Sequence, residues 1–252
     1  MTDDSLWLRR FRPASDTAPR LVCLPHAGGS ASYFRPVAAM LSPTVDVLAV
    51  QYPGRQDRRG ERCVDVLDDL VDQVFDAVRP RADRPLTLFG HSMGATVAFE
   101  VARRLEAVGI VPAGLFVSGR RAPHRSRIEN VHQRTDDELV SVIAQLAGTD
   151  NRLLADEEIR RMLLPALRAD YRAIETYTFQ PGPGLRCPVV ALVGDDDEVA
   201  TVDEVRAWRD HTTGPFELRV FDGGHFYLND HAAAVVDELA RHLQVEVAGG
   251  VS

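Results

Sequence analysis

The sequence predicts an α/β fold, a doubly wound and mostly parallel sheet with an inserted helical lid. Three observations predict it. Short runs rich in Val and Leu recur along the chain without clean polar alternation, as strands covered on both faces do. Between them lie segments whose apolar residues repeat at three- and four-residue spacing, the mark of amphipathic helices. One block, 121–186, carries helical patterns and no convincing strand.

The strand-like runs are Leu6 to Arg9, Arg20 to Leu24, Val45 to Val50, Leu86 to Phe89, Gly114 to Val117, Val189 to Val193 and Phe216 to Phe221. Leu67, Leu70, Val71, Val74 and Val78 form one helical stripe, and Val97, Val101 and Leu105 form another. Alternating strands and helices with right-handed crossovers place helices on both sides of one sheet. A last helix is expected from Asp230 as N-cap, with Val235, Leu239 and Leu243 facing the sheet. Within the block, Thr135 and Glu138 have capping-box spacing, and Leu139, Val142, Ile143 and Leu146 follow as an apolar face before Gly148. A second helix is expected from near Asp156, and Pro165 should kink or interrupt it. Pro181-Gly182-Pro183-Gly184 returns the chain to the sheet. The expected division is therefore a core of residues 1–120 and 187–252 with a lid of 121–186.

Composition narrows the functions. A chain of 252 residues, 45% apolar and 26% charged, can bury one enzyme-sized core. A net charge of −8 argues against nucleic acid and anionic membranes as partners, and every basic residue is arginine. The N-terminus, Met1-Thr2-Asp3-Asp4, lacks a basic or apolar signal region, and no run is long and apolar enough to span a bilayer, so a cytoplasmic location is expected. Cys23, Cys63 and Cys187 are scattered, without metal-ligand spacing, and read as small buried groups. No metal and no cofactor is expected.

The chemistry centres on Gly90-His91-Ser92-Met93-Gly94, which joins the run Leu86 to Phe89 directly to the helix of Val97 and Val101. Strand, sharp turn and helix form the grammar of the nucleophile elbow: glycines two before and two after the serine let strand and helix approach and push its hydroxyl out at the sheet edge. The pattern alone is weak, since a glycine-rich turn whose serine caps a helix reads the same way. Its partners strengthen it. In an α/β-hydrolase fold an acid and then a histidine follow the serine in chain order. Gly194-Asp195-Asp196-Asp197-Glu198 follows one late strand, and Asp222-Gly223-Gly224-His225 follows the last. His225 can take the Ser92 proton and return it to a leaving thiol or alcohol. All four acidic residues follow the strand; one set two or three positions on reaches the histidine, which favours Asp197. The oxyanion hole should combine the Met93 amide with that of Ala27, in the loop Leu24-Pro25-His26-Ala27-Gly28-Gly29. His26 shapes that loop or touches substrate, and His91 is structural.

Together with Tyr33-Phe34, Gln51-Tyr52-Pro53-Gly54-Arg55, Asp170 with Tyr171, Glu175 with Tyr177, Trp208 and Gly223-Gly224-His225-Phe226, these motifs resemble type II thioesterases. Those are the stand-alone enzymes that accompany modular polyketide and nonribosomal peptide synthases, and the resemblance spans nearly the whole chain. It implies that the acid, three positions past the glycine ending its strand, is Asp197, and that the oxyanion amides are those of Ala27 and Met93. It also implies a flexible lid over a phosphopantetheine channel, and an acyl thioester on a transient acyl or peptidyl carrier protein as substrate.

Tyr171, Ile174, Tyr177 and Phe179 either line an acyl chamber or only pack the lid onto the core. Arg120, Arg121, Arg125 and Arg127 read as solvated surface, with an acidic carrier or a phosphate as the alternative. A small-molecule carboxylesterase and a noncatalytic binding module are the competing functions; a macrocyclising thioesterase is disfavoured because the chain reads as a free-standing domain. A monomer is expected.

Overall fold

The computed structural model describes residues 4–125, 127–147 and 156–245. The side chain of Ile143, assigned above to a helix face, and Gly148, expected just after that face, lie outside the described part. One sheet contains β1 (Leu8–Arg9), β2 (Arg20–Leu24), β3 (Asp46–Val50), β4 (Leu86–His91), β5 (Gly114–Ser118), β6 (Val189–Gly194) and β7 (Phe216–Phe221), in the order β1-β3-β2-β4-β5-β6-β7. Only β1 runs antiparallel to its neighbour; every other pairing is parallel. The chain goes from β2 outward to β3 and then crosses back to β4. That reversal is where open parallel sheets form a crevice beyond their carboxyl ends.

The helices are α1 (Asp4–Trp7), α2 (Arg35–Leu41), α3 (Leu67–Val78), α4 (Met93–Ala107), α5 (Asp136–Ala147), α6 (Glu157–Thr176), α7 (Val202–Arg206), α8 (Tyr227–Asp230) and α9 (Ala232–Leu243). They cover both faces of the sheet. In β2, Val22 and Leu24 join a cluster with Leu70 and Val74 of α3 and Val97 of α4, while Leu21 and Cys23 join Leu41 of α2 and Leu239 of α9. Successive strand residues point to opposite faces, so a run buried throughout requires a layer on each side. β2 to β6 are buried along their whole length; β7, at the sheet edge, is only partly covered.

Three expectations need revision. Leu6 is not in a strand: α1 extends to Trp7, and only Leu8 and Arg9 pair with β3, opposite Val50 and Ala49. Asp230 does not cap the last helix. The chain is already helical in α8, so Asp230 lacks the extended backbone a cap needs, and α9 starts after His231 with no side-chain cap. Nor does Pro165 interrupt its helix. α6 continues through it, held by the burial of Ala166, Leu167, Asp170, Ala173 and Ile174 on one face.

Between β5 and β6 the insertion has its own small core of Val131, Leu139 and Leu167. The capping box forms: the Thr135 amide donates to Glu138 Oε2 at 2.9 Å and the Glu138 amide to Thr135 Oγ1 at 3.4 Å. Asp156 caps α6 by accepting from the Glu158 and Ile159 amides. Arg160 with Asp137, and Arg168 with Asp136, tie α6 to α5. No helix among the described residues is long and apolar enough to cross a membrane.

Candidate active site

Ser92 stands between β4 and α4 with φ 54° and ψ −120°, a region that L residues rarely occupy. Its neighbours make that backbone possible. A Cβ on Gly90 would collide with the Gly94 carbonyl, and one on Gly94 with the Leu24 carbonyl, so both glycines are required by close approach. The Ser92 amide donates to Ser118 O at 2.8 Å, fixing the turn to β5. The strain holds the serine at the N-terminus of a fifteen-residue helix, where the dipole favours negative charge.

His225 lies beyond β7. Its Nδ1 is 2.9 Å from Asp197 Oδ2 and 3.1 Å from Oδ1, and both residues are buried. An ionised carboxylate can only accept, so Nδ1 carries the proton and Nε2 is left as a base. Asp197 Oδ1 is itself fixed by the amides of Val199 at 2.8 Å and Ala200 at 3.2 Å. Geometry thus separates the consecutive aspartates. Asp195 and Asp196 are exposed, and Asp195 Oδ1 accepts from the Gly223 amide at 2.9 Å, stapling the acid turn to the histidine turn.

His225 and Ser92 line one cavity of about 260 Å³, together with His26, Ala27, Gly28, Tyr33 and Tyr171. Val140 and Leu146 of α5 and Leu163, Leu164 and Leu167 of α6 give it an apolar side, to which Arg160 of α6 adds one cationic side chain. The Ala27 amide on the loop after β2 and the Met93 amide at the start of α4 donate to no acceptor among the described residues. Both can receive an oxyanion.

Two further histidines adjoin the site, and neither is built to be charged. Burial drives the His26 imidazole down to about 3, with repulsion from His225 and Arg55 adding to it. Its ring packs edge-on against Tyr33 and Phe226, which makes it a wall of the cavity. His91 is held well below the usual range by burial and then by His225 and His26. Its Nδ1 meets Ser118 Oγ at 2.9 Å, and Ser118 Oγ meets the Tyr227 hydroxyl at 2.6 Å, so it is tied into a structural chain.

Tyr177 and Phe179 are not among the residues that line this cavity, which favours lid packing over the acyl-chamber alternative for these two. α6 ends at Thr176, and Tyr177 continues in extended backbone across α4. There the Tyr177 hydroxyl donates to Glu100 Oε1 at 2.6 Å, while Phe179 packs against Phe99 and His211. Ile174 belongs to the main core. Within the arginine cluster, Arg121 pairs with Glu129 and donates to Val199 O, and Arg127 pairs with Glu204. Sequence reasoning gave no role to Arg55 and Asp170, which form a buried bidentate pair at 2.6 and 2.8 Å beside the Ala27 loop. Among the described residues no group of three or more His, Cys, Asp and Glu side chains could hold a metal ion.

Residues 19–244 match the model of the thioesterase domain family. Thioesterase PikA5 of Streptomyces venezuelae is 52% identical over 245 residues, covering 96% of this chain and 87% of that protein. A probable cadicidin biosynthesis thioesterase of Streptomyces griseus is 54% identical over 237 residues, covering 94% of this chain and 66% of that protein. Among solved structures, the type II thioesterase BorB from the borrelidin biosynthetic cluster has a TM-score of 0.91 at 55% identity, covering 96% of this chain and 100% of that one. The RedJ thioesterase from the prodiginine pathway of Streptomyces coelicolor has a TM-score of 0.85 at 41% identity, covering 93% and 90%.

Proposed function

Since the chain belongs to the thioesterase family, we propose that it hydrolyses acyl thioesters carried on the phosphopantetheine arms of acyl or peptidyl carrier proteins. Its relatives include the type II thioesterase BorB of the borrelidin biosynthetic cluster and the RedJ thioesterase of the prodiginine pathway, which supports a biological role in removing stalled or wrong acyl groups from a biosynthetic carrier. The carrier is a transient partner. One observation carries the site assignment: His225 keeps Nδ1 on the buried carboxylate of Asp197 while sharing a single cavity with Ser92.

In the proposed reaction the Ser92 hydroxyl attacks the thioester carbonyl and its proton passes to His225 Nε2. The carbonyl oxygen becomes an oxyanion, met by the amides of Ala27 and Met93. The carbon–sulfur bond then breaks, and the imidazolium returns the proton to the departing pantetheine thiolate. Water repeats the sequence on the acyl-enzyme, releasing the free acid and regenerating Ser92. Asp197 stabilises the imidazolium and holds its tautomer. The scheme uses the chain's own groups and one water molecule.

The domain division follows from the same reading. Residues 121–186 act as the lid and 1–120 with 187–252 as the core; α5 and α6 supply the apolar wall against which an acyl chain lies, and Tyr171 and His26 contact it. The test compares one acyl group on a carrier protein with the same group on a small alcohol ester. Binding energy from the carrier and its arm should raise kcat/KM by about tenfold or more. Equal turnover of both would favour a general carboxylesterase.

A further inference from the structure

The face of α6 that meets the loop after β2 does more than roof the cavity. Leu167 and Asp170 are one helical turn apart, so they project from the same side of α6. A Cβ on Gly28 would strike the Leu167 side chain, so the helix rests directly on the loop at that residue, which has φ 75°. One turn on, Asp170 Oδ2 accepts the Gly28 amide at 2.8 Å. The same oxygen meets Arg55 at 2.6 Å, Asp170 Oδ1 meets the other arm of that guanidinium at 2.8 Å, and Arg55 donates onward to Gly29 O at 3.0 Å. Gly28 and Gly29 are therefore gripped from both sides, directly by the carboxylate and through the arginine. Ala27, whose amide is the second oxyanion donor in the proposed reaction, immediately precedes them.

We propose that Asp170 and Arg55 are positioning residues that set the Ala27 amide for the oxyanion, making a residue of the lid helix part of the catalytic machinery. The inference rests on the hydrolytic reading above. A loop containing consecutive glycines has wide conformational freedom, and a donor aimed only part of the time stabilises the transition state less. Two hydrogen bonds from a buried, mutually neutralised pair remove that freedom. The part of α6 from Ala166 onward is consequently fixed to the core, and any opening of the lid that carried Asp170 away would also dismantle the oxyanion site.

The test uses Asp170→Asn and, because a lone buried charge can prevent folding, the double variant Arg55→Gln/Asp170→Asn, which leaves none. Two readouts are taken: the second-order rate of fluorophosphonate labelling at Ser92, and kcat and KM for an acyl carrier thioester with its pH profile. Misaiming one oxyanion donor should slow labelling and lower kcat by about 10- to 100-fold, with KM within about twofold and the acidic limb of the profile unmoved. A folded double variant that labels within about twofold of the native rate overturns the proposal. So does a loss confined to KM, or a displaced acidic limb, which would route the effect through substrate binding or His225. If the native chain labels at Ser92 yet cleaves no thioester, the substrate reading has failed, and the labelling rates still decide the positioning role.

Discussion

Asp197 and His225 meet across two strand-end turns, carboxylate to imidazole at 2.9 Å, with the side chains almost wholly removed from solvent. The contact depends on how closely the turns pack. Gly194 lies against the Gly223 carbonyl so tightly that no Cβ fits there, and Asp195 and Asp196 bond the same turn through Gly223. Three adjacent carboxylates thus have distinct positions, and they should respond differently to substitution.

Replacing Asp197 by Asn should lower kcat by about four orders of magnitude, because an amide no longer selects the tautomer with the proton on Nδ1. Asp196→Asn should leave kcat within about threefold, since the exposed side chain touches neither partner. Steady-state kinetics on one thioester checks both. Equal losses at the two positions would contradict the assignment.

Tyr171 and Tyr177 make a second contrast. Tyr171→Ala enlarges the cavity and should shift kcat/KM toward longer acyl chains, measured with a chain-length series. Tyr177→Phe removes only the hydroxyl on Glu100 and should lower stability by about 1 kcal/mol while leaving the preference order unchanged. A chain-length shift in the Tyr177 variant would place it back in the binding site.

Acid should destabilise the fold before most carboxylates titrate. Burial lowers His26 to about 3 and His211 to about 4, and holds His91 well below its usual range. The unfolded chain binds protons on these groups below about 6.5 that the native state refuses, so stability rises with pH across that window. It is nearly whole above about 7.5, and it is lost progressively as pH falls through about 6.5 toward the lowered native values. Urea midpoints at pH 8.5 and 7.5 should agree, with a clear drop at pH 5.5. A flat profile to pH 5.5 would show that these rings accept protons in place.

Most of the sheet, and the strand-end positions of Ser92, Asp197 and His225, were legible because each follows a local grammar. Ser92 and Asp197 stand just past buried strands and His225 just past the partly covered β7, and parallel strands carry their successors to the same edge. Elements fixed by non-local contact were harder to read. Tyr177 has the spacing of a continuing stripe from Tyr171 and Ile174, yet the helix stops one residue before it. Arg55 and Asp170 are 115 positions apart, and nothing local to either indicates that docking of α6 will pair them. The short α8, which displaced the expected cap at Asp230, is held by the buried Tyr227, whose hydroxyl meets Ser118.

The central claim is that Ser92 takes the acyl group from a carrier before water does. Intact-protein mass spectrometry of the His225→Ala variant and the Ser92→Ala variant, each mixed with an acyl-loaded carrier, tests it beside the native chain. The account predicts that the native chain unloads the carrier rapidly and that both variants leave it loaded, with any slow acyl adduct on the His225 variant mapping to Ser92. A Ser92→Ala chain that unloads the carrier at the native rate would contradict it.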